Sequence, residues 1–449
     1  SGLIQLDASL RPVPDLALSW KQTDPTTWEF TLRQGVVFHD GTKLTPEDVV
    51  YTFTTILDPK LNARFRSLYE PIDRIEAVGE DVVRFHLKAP YAPLLSYLDL
   101  GIVPKHLAES GHNLESVPVG SGPFRFVKWA RGSTISLAAF DKYYAGKPNI
   151  EAIDVVVVAD NTARAQALES GDLDLINSPL SPQDILRLRA EKQFGYQGMP
   201  GISINYLNYN CRNSVLSDPG VRRAVAMLVD QATIVGQIYG GIDTPATSLL
   251  LPSLAWSYTD TIRQPAFDPA GAAKALDALG WKKGSDGILA KDGKTLAITV
   301  STHSEDPSRV QSVEFLQNTF RGAGIAAQTR ITDWPAFIGG TSNGNYDLAL
   351  FGWTMLVDPD RAMFSQLSTG GSLNFGHYSN PQVDKLLLAG RTESAVPKRA
   401  EAYQAAARIL VEDMPYYVLS YAGFHVFTSA RLKGFTTDAR GFLRALAVS

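Results

Sequence analysis

The chain has 449 residues, too many for a single hydrophobic core, so two or three domains are expected. With 45% apolar and 20% charged residues it has the make-up of an ordinary globular protein. A net charge of -4 gives no electrostatic reason for nucleic acid or an anionic membrane to be a partner.

In chain order, "TTWEFTLRQGVVFHDG" alternates Trp28, Phe30 and Leu32 with polar residues, which predicts a half-buried strand ending in a turn at Asp40-Gly41. "TPEDVVYTFTTIL" predicts a helix. Thr45 is its N-cap, Pro46 its first residue, and Glu47 and Asp48 lie at the positive end of its dipole. "VVRFHLKAP" alternates again, so the stretch up to residue 115 reads as mixed α/β.

From "VPVGSGPFRFVKW" the style changes, with Phe124, Phe126 and Trp129 marking a strand after a Gly-rich turn. "IEAIDVVVVAD" is a near-continuous β-branched run, the pattern of a strand covered on both faces. The helix "NTARAQALESGDLD" and the strand "LDLIN" follow, and together they predict a βαβ unit of a mostly parallel sheet. "DPGVRRAVAMLVDQATIVGQIYGG" reads as one helix on Val221, Val225, Leu228 and Val235, closed by Gly240-Gly241.

"GGIDTPATSLLLPS" then reads as a crossing between two lobes. Beyond it come a helix at 269–280, the strand "LAITVST", a helix at 307–323, the strand "IAAQTRIT", a helix at 334–340 and the strand "YDLALFGW". Two α/β bodies joined by a crossing imply a cleft, and clefts at strand ends hold small ligands.

Several stretches carry possible chemistry. The seven histidines are scattered and show no zinc-ligand spacing, so no metal or cofactor is expected. Cys211 is the only cysteine, which rules out an intrachain disulfide. No apolar run reaches the ~18–20 residues needed to span a bilayer. There is no signal peptide, and Ser1-Gly2 reads as a scar or the trimmed start of a mature chain. "GTSNG" at 340–344 satisfies the serine-hydrolase pattern around Ser342, but helix and strand stand in the inverted order, so loop chemistry is the plainer reading. His39 in "FHDG" fits either acid–base work or a structural histidine, and the latter reading accounts for every neighbour. "ESGDLDL" lacks the residues that complete a calcium loop.

Tyr206, Asn208 and Asn210 alternate along a strand, either as a polar face at a domain junction or as amide and hydroxyl groups lining a cleft. "LFGWTMLVDPDRAMF" runs a buried strand into Trp353, Thr354 and an Asp-Pro-Asp turn. Core packing of the indole competes there with a ligand wall, and the position at a strand end favours the wall.

The blocks "DLALSWKQTDPTTWEFTLRQGVVFHDGTKLTPEDVVYTF", "VGSGPFRFVKW", "ALESGDLDL", "VRRAVAMLVDQATI", "LFGWTMLVDPD" and "NFGHYSNPQVDKLL", in this order, resemble the family 5 extracytoplasmic solute-binding proteins of oligopeptide, dipeptide and nickel ABC importers. The resemblance spans nearly the whole chain. It implies an α/β, two-lobed periplasmic-binding-protein fold of type II with an extra α/β domain. That domain would be residues 9–116. Lobe one would be 117–235 with 426–449, lobe two 236–425, and the solute would be enclosed between the lobes. It further implies a monomer working in the periplasm or at the cell surface, with ABC permease subunits as partners and no enzymatic activity.

Trp353 and Thr354 match family ligand positions, and with them Met355, Leu356, Asp358, Tyr206, Asn208, Asn374, Ser301, His303 and Tyr421 are expected to face the ligand. Peptide-binding members place an aspartate three residues after the tryptophan, against the peptide ammonium; here Leu356 stands there, with Asp358 or Asp360 as substitutes on another backbone path. The arginine that meets a dipeptide carboxylate in some members falls near Ser301. Both ionic clamps are thus expected to be missing, which points to a modified or longer peptide, an opine-like conjugate, a glycoside or a metal chelate. Members also carry a few dozen residues ahead of the "GLIQLD" block, a strand and part of the lobe-one wall among them, and this chain starts inside that block. The alternatives are a serine hydrolase using Ser342 and the sensing half of a regulator, though no helix-turn-helix or basic segment accompanies the latter.

Overall fold

The computed structural model describes residues 1–61, 63, 65–437 and 440. Alternating Phe30, Val83 and Phe85 turn inward from an antiparallel sheet of β1 (Ala17–Asp24), β2 (Thr27–Leu32), β3 (Ile72–Val78) and β4 (Val82–Leu87), in the order β1-β2-β4-β3. Helix α1 (Pro46–Leu57) lays Phe53 edge-on against Phe85, with ring centroids 5.2 Å apart. Its start follows the sequence: the Asp48 carboxylate accepts the Thr45 N–H at 2.8 Å. Gly41 takes the positive φ of 91° that the expected turn requires.

His39 joins this domain to the next. Its Nδ1 accepts the Gly120 N–H at 3.2 Å and its Nε2 donates to the Gly122 carbonyl at 3.0 Å. Both ring nitrogens are used structurally.

Strands β5 (Phe124–Ala130), β6 (Thr134–Ala139) and β7 (Ala152–Val156) form a separate antiparallel sheet. Here the structure departs from the sequence reading. The β-branched run is not a doubly covered parallel strand: β7 pairs only with β6, and Val155, Val156 and Val157 are 38%, 43% and 54% exposed. They line a cavity of about 760 Å³, with β8 (Leu175–Ile176) on its other wall. Helix α2 (Asn161–Glu169) links β7 to β8, but the two strands lie in different sheets, so the expected βαβ pairing is absent.

After α3 (Pro182–Ala190) comes the 15-residue strand β9 (Gly195–Tyr209), then α4 (Pro219–Ala226), β10 (Thr244–Pro245), α5 (Pro269–Ala278), β11 (Ala297–His303), α6 (Pro307–Ala323), β12 (Ala326–Thr332), α7 (Trp334–Ser342), β13 (Leu348–Trp353), α8 (Pro359–Leu367), α9 (Pro381–Thr392), α10 (Val396–Asp413) and the 13-residue β14 (Tyr416–Thr428). The sheet order is β8-β14-β9-β13-β11-β12, with β10 on β14. β11 is parallel to both β12 and β13, and the other pairs are antiparallel. The predicted helix through residue 241 stops at 226; the Asp230 side chain accepts the Thr233 N–H at 3.0 Å and starts a separate short turn.

One face of this sheet is covered by α4, α5 and α6, whose Val221, Leu276 and Leu316 join one apolar core. The other face is covered by α7 to α10, through Phe337, Met363, Leu387 and Tyr403. α4, which precedes residue 235, shares its core with α5 and α6, which follow it. Within β9 the ladder with β14 shifts register between Pro200 and Ser203. There Gly201 is pressed on the Ala422 carbonyl so closely that any side chain would collide with it. "GGIDTPATSLLLPS" pairs with β14 as β10 and then buries Leu249, Leu250 and Leu251 in the core under α7 to α10. Within the proposed lobe-one tail, residues 438, 439 and 441–449 lie outside the described residues.

Candidate functional site

The three parallel strands β11, β12 and β13 end together, at His303, Thr332 and Trp353, the edge where open α/β sheets bind ligands. This answers the question raised by "LFGWTMLVDPDRAMF". Leu348 to Phe351 are buried, Trp353 is half-buried, and Thr354 and Met355 are exposed. Met355 takes a left-handed φ of 62°, which turns the chain back so that the Leu356 N–H reaches the Ile202 carbonyl at 2.9 Å. Leu356 is then fully buried in the core under α8. The indole N–H of Trp353 is enclosed and has no partner among the described residues.

The two carboxylates after the turn are already committed. Asp358 caps α8, accepting the Asp360 N–H at 2.9 Å, and takes two contacts from Arg399 Nη2 at 2.8 and 3.0 Å. Burial pushes its carboxyl pKa up and Arg399 opposes this. Asp360 is held bidentately by Arg391, Nε at 2.9 Å and Nη2 at 2.7 Å. Neither is free for a solute amine, so the substitution that the sequence left open does not occur in this arrangement.

The remaining expected site residues divide. His303 stands at the strand-end edge. Asn374 instead fixes a loop, donating to the Ser368 and Tyr378 carbonyls at 2.9 and 2.7 Å. Tyr421 is core, its hydroxyl donating to the Ser248 carbonyl at 3.0 Å. Tyr206 is buried between Phe351 and Tyr416, at 5.7 and 4.6 Å, and Asn208 lies fully buried on the same inner face. Ser301 is buried inside β11. These four residues are enclosed by packing rather than by the cleft, because strand alternation turns them toward the helices α7 to α10.

The edge carries residues that the sequence reading missed. Trp334, the first residue of α7, is 46% exposed and stands edge-on to His303 at 5.0 Å. Glu305 accepts the Trp334 N–H and a His303 Nδ1 hydrogen bond, both at 2.8 Å. Arg309 donates to His303 Nε2 at 2.9 Å, and through Nε and Nη2 to Asn205 Oδ1 at 3.2 and 2.9 Å. Because arginine only donates, His303 must accept on Nε2 and carry its proton on Nδ1 toward Glu305. Asn205 continues to Asp243, which also accepts from Ser420 Oγ at 2.6 Å and Gly423 N–H at 3.1 Å; burial raises its pKa. A methyl group on Gly352 would collide with the Arg309 guanidinium, so the glycine before Trp353 is what lets this network cross the strand end. The "DW" start of α7 and the arginine three residues into α6 were the available signals.

Nothing comparable surrounds the hydrolase candidates. Ser342 ends α7 and its hydroxyl donates to the Gly339 carbonyl of its own helix at 3.2 Å, not at a strand-to-helix elbow. Burial raises the pKa of the Cys211 thiol, which makes it a poor nucleophile.

The family model described as bacterial extracellular solute-binding proteins, family 5 middle, matches residues 11–375. The chain belongs to that family. Protein XP55 of Streptomyces lividans is 33% identical, over 98% of this chain and 82% of its own length. Among solved structures, the oligopeptide-binding protein AppA from Bacillus subtilis in complex with a nonapeptide is 28% identical, with TM-score 0.82, covering 100% of this chain and 92% of that one. NikZ from Campylobacter jejuni in complex with Ni(L-His) is also 28% identical, with TM-score 0.83, covering 98% and 90%. Family 5 proteins are solute-binding proteins of ABC importers, so this chain is a solute-binding protein with their α/β fold. No helix among the described residues is long and apolar enough to cross a membrane.

Proposed function

We propose that this family 5 protein, acting as a monomer outside the cytoplasmic membrane, encloses its solute against the strand ends at Trp353 and hands it to ABC permease subunits when the lobes close. It does no chemistry on the solute, and the solute is not a plain zwitterionic dipeptide. The observation carrying this reading is Leu356, fully buried where peptide-binding relatives are expected to hold an ammonium, together with Asp358 and Asp360 locked onto arginines. An ammonium buried there without a counter-charge would cost several kcal/mol. A bare metal ion is poorly served too: among the described residues no three His, Cys, Asp or Glu side chains converge.

The lobes pivot on the crossing strands β9 and β14, and closure is a shift toward the state that binds solute better. The test pairs a thermal-shift screen of peptides, conjugates and glycosides with small-angle scattering. A stabilising solute that compacts the protein, with plain dipeptides inert, is the expected result. Saturating solute without compaction sinks the delivery mechanism, and tight dipeptide binding sinks the specificity.

A further inference from the structure

Resting on that reading, we infer that the solute carries an organic cation, seated on the Glu305 carboxylate against the exposed indole of Trp334. The charges along the strand-end edge are unevenly matched. Arg309 lies 3.3 Å from Asp306 and is linked through Asn205 to the Asp243 carboxylate, so its charge is answered from within the protein. Glu305 has no such answer. Its contacts are the Trp334 amide and His303 Nδ1, whose ring accepts from Arg309 on Nε2. Among the described residues no lysine or arginine pairs with Glu305, although its side chain is only half exposed.

The carboxylate is also well fixed. Both its oxygens are held by donors, one of them the first amide of α7, so it cannot swing away to find a cation elsewhere. The amide that holds it belongs to Trp334, whose indole is 46% exposed and packs edge-on against His303 at 5.0 Å. A carboxylate next to an aromatic face is the combination that recognises guanidinium, amidinium or alkylated ammonium groups, through a charged hydrogen bond on one side and ring attraction on the other. Glu305 follows the end of β11 at His303, on the same strand-end edge that carries Trp353 at the end of the neighbouring β13.

The test uses the full chain and two probes of one shape, benzamidinium and neutral benzamide, in calorimetric titrations. Wild type should bind the cation at least roughly tenfold more tightly, the size of one charge-assisted contact. Glu305→Gln should erase that preference, and Trp334→Ala should weaken both probes. Equal affinities in wild type, including no binding of either at millimolar concentration, would overturn the inference, as would an unchanged preference in Glu305→Gln. A solute from the screen that compacts wild type and Glu305→Gln with equal affinity would leave the delivery role standing and remove only the cation.

Discussion

Trp353 holds its indole half out of the core, its N–H enclosed and without a partner among the described residues. Trp353→Ala should weaken solute binding by ~2 kcal/mol or more, the size of a hot-spot contact, with little change in Tm. A fall in Tm at unchanged affinity would return the residue to the core. His39 gives a second prediction at this scale. Burial holds its pKa below the ordinary 6.5, and its two hydrogen bonds need a neutral ring that accepts on Nδ1. The folded protein therefore binds this proton less readily than the unfolded chain. The stability is present above pH 6.5 and is lost as the pH falls through 6.5 toward the lower folded value. Tm measured between about pH 7.5 and 5.5 should drop less in His39→Gln than in wild type. His377 and His425, also lowered by burial, keep part of the slope in both. Single residues were the least legible level of the sequence. The partners of Asp358 and Asp360 lie 41 and 31 residues away, and Trp334 matters only because three strands end beside it.

Among the elements, α8 begins on a carboxylate that also receives α10 through Arg399, while Arg391 of α9 clasps Asp360. Asp358→Asn or Arg399→Met alone leaves a buried charge unpaired and should cost ~3–5 kcal/mol in denaturant unfolding. The double variant should cost much less than the sum, a coupling that a surface pair would not show. Elements between 269 and 353 were legible because each alternates or repeats with one period and is bounded by Pro, Asp or Gly. The run at 152–158 was misread for an understandable reason: β-branched residues in sequence describe a strand, but not which partner lies beside it. The helix from 219 to 241 was misread because its apolar spacing continues across a break that Asp230 makes with its own side chain.

For the whole molecule, the two longest strands, β9 and β14, pair along most of their length, and their ladder shifts register between Pro200 and Ser203. Family and fold class were readable from the sequence because blocks spread over the chain all agree. Packing between distant segments was not readable in the same way, because β9 and β14 are 15 and 13 residues long and pair along most of their length from far apart in the chain. The N-terminal domain raises the same issue in space. Its apolar core includes Ile202 at the register shift, Leu254, and Val357 just beyond the Trp353 turn, with Met199 and Val119 packed alongside. Excising it would bare these side chains to water at ~1.5–3 kcal/mol for each large one. It is therefore not a removable attachment: the same side chains that fill its core brace the register shift in β9 and the turn after Trp353.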